Sequence, residues 1–209
     1  MHIVTEYHEN GTLHNKIYKN RQPYSDFYDY TYSGRKNEQN KDFAISESLV
    51  KKWTKQLFTG LSYMHNKSVM HRDIKPENLV FDSGDNLKII DLGSAKFIQP
   101  DTTSRPNVST LIYRSPECLM GFSDYRTSVD VWAAGCVVAE MVSGGPLFIS
   151  MGGKFNFSVI FGDFPEKQSE MEQLATIIEC IGYPERDVLD ELSFEHAKAI
   201  KSVLRHGTV

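Results

Sequence analysis

Residues Val129 to Val142 (VDVWAAGCVVAEMV) are apolar almost all round, broken only by Asp130 and Glu140. A helix without a polar face does not lie on a surface; it belongs in the middle of a domain. Its uncharged stretch, Val131 to Ala139, is too short to cross a bilayer, which takes about 20 residues. The chain must therefore wrap other elements around this segment. Its 209 residues suffice for one substantial core, most simply a single domain.

The elements available for wrapping are legible upstream. Val50, Trp53, Leu57, Leu61 and Met64 recur at three- and four-residue steps, which predicts an amphipathic helix with its N-cap near Ser46 and Glu47. Leu79-Val80-Phe81 and Leu87-Lys88-Ile89-Ile90 flank Asp82-Ser83-Gly84-Asp85, two strands joined by turn chemistry. His2 to Tyr7 (HIVTEY) reads as a buried strand that needs a pairing neighbour. Residues 21–42 are rich in Tyr, Asp, Asn and Gly but poor in aliphatics, and read as a flexible surface insertion. Asp91 to Glu117 is polar and proline-bearing, and reads as a long loop.

The chemistry sits between the amphipathic helix and the hairpin, in His71-Arg72-Asp73-Ile74-Lys75-Pro76-Glu77-Asn78, and at the hairpin's far end, in Asp91-Leu92-Gly93. A hairpin brings its ends together, so Asp73, Asn78 and Asp91 are expected to converge. Phosphoryl transfer asks for such a group: a carboxylate to take the proton of an attacking hydroxyl, hard oxygens for magnesium, and a cation for the transferring phosphate.

These motifs, in this order, resemble the protein kinase signature. The resemblance implies an α+β, mainly α fold: a kinase C-terminal lobe with small β-hairpins, residues 1–209 forming a partial kinase domain of hinge strand and C-lobe. It implies Asp73 as catalytic base, Lys75 as the lysine on the γ-phosphate, and Asn78 and Asp91 as magnesium ligands, with ATP and Mg2+ as cofactors. Glu6 and His8 fall at the hinge that binds adenine. Arg72, Lys96, Thr110, Arg114, Glu117 and Asp130 take activation-segment and structural roles. Arg72 and Lys96 would supply cations for a phosphate on Thr102, Thr103 or Ser104.

Lysine two residues after Asp73 resembles serine/threonine kinases. Val108 to Glu117 (VSTLIYRSPE) is similar to the same segment of cyclin-dependent, mitogen-activated and glycogen synthase kinases. That proline-directed group uses the residue at Arg114 near the position following the phosphorylated one, which implies protein substrates with Ser-Pro or Thr-Pro sites. An activating kinase or partner protein is implied as well. Leu92 stands where the family has phenylalanine, and Ser115 where it has alanine.

The upstream family motifs have no counterpart here: no Gly-rich loop, no Val-Ala-Ile-Lys lysine. The upper lobe is therefore expected to be missing, and the isolated chain to be weak or inactive. The rival expectation is a non-catalytic pseudokinase or fragment that binds proteins. A net charge of −4 gives no footprint for nucleic acid or an anionic membrane. Three widely spaced cysteines read as reduced thiols, hence a cytoplasmic or nuclear protein.

Overall fold

The computed structural model describes residues 6–19, 45–99, 109–149, 165–183 and 185. The first described helix is the short α1 (Leu13–Ile17), capped by Thr12, whose hydroxyl accepts the Asn15 N–H at 3.1 Å. Helix α2 (Glu47–Asn66) follows and buries Trp53, Leu57 and Leu61, the stripe expected from their spacing. Each such side chain removed from water contributes about 2 kcal/mol. Ser46 is the N-cap residue, but its side chain makes no capping bond.

Strand β1 (Val69–Met70) pairs with β4 (Lys96–Phe97), and β2 (Leu79–Phe81) with β3 (Leu87–Ile89), both antiparallel. The β2–β3 turn is held by Asp82, whose Oδ1 accepts the N–H groups of Gly84 at 3.0 Å and Asn86 at 2.9 Å. The hairpin rests directly on α2 at Gly60, where a Cβ would come within 2.9 Å of the Ile89 side chain. Trp53 and Phe81 meet at a ring-centroid distance of 4.6 Å.

A short helix α3 (Pro116–Leu119) leads to α4 (Ser128–Ser143), and α5 (Pro165–Ile181) follows. Helix α4 packs against α2 with Ala133, Ala134 and Val137 buried, and ends at Gly144, whose φ of 76° no β-carbon would favour. It is not buried all round, as its sequence suggested. Val131 and Val142 are exposed, because the described neighbours cover one side and leave the other to solvent.

Two other expectations change. Within Asp91–Glu117, expected as loop, the described residues form 3₁₀ turns at Leu92–Ser94 and Leu111–Tyr113, the strand β4, and the start of α3. Of the expected His2–Tyr7 strand, residues 2–5 lie outside the described residues. Among the described residues Glu6 and Tyr7 join no strand and have no strand to pair with, and Tyr7 is exposed. The 21–42 insertion and Thr102, Thr103 and Ser104 lie outside the described residues.

Candidate active site

The loop from His71 to Asn78 is shaped by one buried carboxylate on α4. Asp130, 1% exposed, accepts the backbone N–H of His71 at 2.9 Å and of Arg72 at 2.7 Å, and Nε2–H of His65 at 2.8 Å. Arg72 sits at φ 68°, a left-handed conformation that costs a residue with a β-carbon about 1 kcal/mol. Its Nε–H also donates to Ser94 O at 2.7 Å, joining the loop to the segment after Asp91.

His71 is fully buried and ties the loop to the hairpin. Its Nδ1 accepts the Asp73 N–H at 3.2 Å, so its Nε2 carries the proton and donates to Ile90 O at 2.9 Å. The backbone of Ile90 donates in turn to Asn78 O at 3.0 Å. Asn78 and Asp91 thereby flank the open end of the hairpin, as its topology requires.

Asp73 and Asn78 meet directly. Asn78 Nδ2 donates to Asp73 O at 2.8 Å and to its Oδ2 at 3.1 Å. Lys75 Nζ lies 2.8 Å from the same Oδ2 and 3.1 Å from Thr110 Oγ1. Asp73 Oδ1 accepts the Thr110 N–H at 3.2 Å and its hydroxyl at 3.0 Å. Burial pushes the Asp73 carboxyl up, but the Lys75 hydrogen bond, the two Thr110 bonds and the Lys75 charge together outweigh it. The group is held below the usual carboxylate range.

Asp91 adopts φ 62° and caps its own turn, with Oδ1 accepting the Gly93 N–H at 3.1 Å. Its carboxylate makes no hydrogen bond to Asp73 or Asn78 among the described residues. The convergence of the three is therefore direct for Asp73 and Asn78, and carried by backbone for Asp91. Two oxygens remain without a described partner, Asn78 Oδ1 and Asp91 Oδ2, and both are of the hard type that magnesium takes.

The remaining predicted residues divide. Thr110 and Asp130 stand inside the network. Arg114 donates from Nη1 to Glu170 Oε1 at 2.7 Å and from Nη2 to Ser109 O at 2.7 Å. Glu117 accepts only a 3.4 Å contact from Ser128 Oγ among the described residues. Lys96 pairs with Met70 across β1 and β4. Glu6 and His8 lie in the irregular segment before α1. A cavity lined by Arg72, Ser115, Cys118, Tyr125 and Val129 adjoins the loop, yet takes in none of Asp73, Lys75, Asn78 or Asp91.

Sequence reading missed His65, which shares Asp130, and Glu140, a second buried carboxylate on α4. Both interrupt apolar helix patterns, and a polar residue on a buried helix face is the signal that was available.

Comparison with known proteins shows the family. The family model for the protein kinase domain matches residues 1–205. A "Probable serine/threonine-protein kinase" of Arabidopsis thaliana is 39% identical over 161 residues, spanning 75% of this chain and 25% of that protein. The mitogen-activated protein kinase HOG1 of Candida albicans is 34% identical over 162 residues, spanning 78% of this chain and 38% of that one. Among solved structures, the yeast RNA polymerase II CTD kinase CTDK-1 complex contains a chain that aligns at a TM-score of 0.66 and 28% identity, covering 91% of this chain and 51% of that one. The chain thus spans well under half the length of these curated relatives.

Proposed function

We propose, from the premise that this chain belongs to the protein kinase family, that it carries the catalytic loop of a serine/threonine kinase that acts on protein hydroxyls followed by proline. One observation carries the reading: a single carboxylate, Asp73, is held by the loop lysine, the loop asparagine and Thr110 at once.

In this reading Asp73 is ionised at neutral pH, positions the attacking hydroxyl and takes its proton. Its four lone-pair sites are already used, by two donors from Thr110 on Oδ1 and by Lys75 and Asn78 on Oδ2. A hydroxyl gains access when one donor leaves. Lys75 is the suited one, since it trades a carboxylate for a phosphate oxygen without losing a charge partner. Asn78 Oδ1 and Asp91 Oδ2 would hold magnesium, while Asn78 Nδ2 keeps the base in place. Bound Mg-ATP supplies the phosphoryl group and neutralises its charge.

Arg114, held beside Ser109 and Glu170, supports the assignment of Ser-Pro and Thr-Pro protein substrates, and an activating kinase or partner protein belongs to the same reading. A cytoplasmic or nuclear location is supported by three free cysteines. No described helix is long and apolar enough to cross a membrane.

The test is transfer of labelled γ-phosphate to a Ser-Pro peptide library in magnesium, comparing the chain with Asp73→Asn. Transfer lost in the variant supports the reading; transfer that survives it overturns it. Transfer absent from both assigns the chain to the rival reading, a non-catalytic fragment or pseudokinase that binds proteins.

A further inference from the structure

We infer that Tyr18 is a positioning residue for this reaction: from the end of α1 it fixes Glu140 and Tyr113, and through them holds Thr110 against Asp73. The inference rests on the function proposed above, and its mechanical part is separable from it.

Tyr18 is the C-cap residue of α1. That helix is anchored by Leu13 and Ile17, both buried, and by the Phe81 N–H donating to Gly11 O at 3.2 Å. From this base the Tyr18 hydroxyl donates to Glu140 Oε1 at 2.5 Å, across 122 residues of sequence. The Tyr113 hydroxyl donates to the other oxygen, Oε2, at 2.7 Å. Glu140 is 1% exposed. Among the described residues these two hydroxyls are its side-chain donors, one for each oxygen.

A buried carboxylate tolerates its surroundings only while its oxygens are hydrogen-bonded. Burial raises the Glu140 carboxyl, and the Tyr18 and Tyr113 bonds pull it back, leaving it at about 6. Removing the Tyr18 hydroxyl leaves one oxygen bare. Glu140 must then take up a proton or turn, and either response disturbs its bond to Tyr113.

Tyr113 transmits the disturbance. Its N–H donates to Thr110 O at 3.1 Å, closing the turn that presents the Thr110 N–H and hydroxyl to Asp73 Oδ1. The run Tyr18, Glu140, Tyr113, Thr110, Asp73 thus joins α1 and α4 to the proposed base. Tyr18→Phe keeps the ring, including its contact with His14 at a centroid distance of 4.7 Å, and removes only the hydroxyl.

The experiment is residue-resolved amide hydrogen exchange on the full chain and on Tyr18→Phe, with steady-state kinetics alongside. Exchange at Thr110, Tyr113 and Arg114 should quicken about tenfold, as expected for one lost charge-assisted hydrogen bond. The interior of α2 should not change. The turnover number should fall by a similar factor with the KM for ATP unmoved, and adding Glu140→Gln should cost less than the two single losses combined. Unchanged exchange at residues 110–114, or an equal rise throughout α2, overturns the inference. If exchange quickens there in a chain that transfers no phosphate, the functional reading falls and the mechanical link stands. If phosphate is transferred but exchange is unmoved, the reverse holds.

Discussion

Asp130 accepts the backbone N–H of Arg72 at 2.7 Å, and Arg72 is held there at a φ of 68°. The carboxylate thus stabilises a conformation that the residue would not choose by itself. Asp130→Asn sets an amide NH2 against an N–H in either orientation, since both of its oxygens accept donors now. The expected loss is about 3 kcal/mol in urea unfolding. Arg72→Gly should lose less, because glycine occupies that φ without strain and only the bond to Ser94 O goes. A smaller loss in Asp130→Asn than in Arg72→Gly would mean that the loop is not shaped from α4.

Lys75→Met should raise the Asp73 carboxyl, since burial then acts against the Thr110 and Asn78 bonds alone. A depressed folded-state value stabilises the fold above the unfolded value, and that contribution is lost as pH falls through the folded one. The parent chain should therefore lose stability below about pH 4, the ordinary range for aspartate. In Lys75→Met that acid-side loss should shrink. Carboxyl NMR titration reads the shift directly, and turnover should fall about 100-fold, as for loss of one preorganised donor.

How much of this was legible beforehand follows from the range of each contact. Asp73 and Asn78 are five residues apart, and Asp91 is carried beside Asn78 by a hairpin whose paired ends, Phe81 and Leu87, are joined by the five residues 82–86, so strand pattern and turn chemistry sufficed to bring them near one another. The Val50–Met64 stripe placed α2 for the same reason. His65 with Asp130, Tyr18 with Glu140 and Arg114 with Glu170 are 65, 122 and 56 residues apart. Periodicity says which face a residue occupies, never which distant side chain it meets. Helix α4 misled in the opposite sense: its sequence is apolar on every side, yet Val131 and Val142 face out. The partner surface, not the helix, decides what is covered.

Glu140 gives a pH dependence of the opposite sign to Asp73. Its carboxyl is raised from 4.5 to about 6, by burial first, against the bonds from Tyr18 and Tyr113. A raised folded value stabilises the fold fully below the unfolded value, and that contribution is lost as pH rises through the folded one. Between pH 4.5 and 6 this group should therefore cost stability as pH rises, about 2 kcal/mol in all. Glu140→Gln removes the slope. Subtracting its urea-derived stability from that of the parent across pH 4 to 7 isolates the term, and a flat difference would contradict the burial argument.

Arg114 and Glu170 form a pair whose side chains are 11% and 14% exposed, and Arg114 Nε has no hydrogen-bond partner among the described residues. Such a pair is costly to break from one side, because the survivor remains desolvated without its counter-charge. Glu170→Met should lose about 3 kcal/mol, leaving the guanidinium with Ser109 O as its described acceptor. Adding Arg114→Met should restore part of that loss, since two thioether chains fill the space without an unpaired charge. If the pair instead serves to hold Arg114 for the residue after the phosphorylated one, the double variant should regain stability without regaining its preference for Ser-Pro over Ser-Ala peptides. Recovery of both would make the pair a packing element. Recovery of stability alone would assign it to substrate choice.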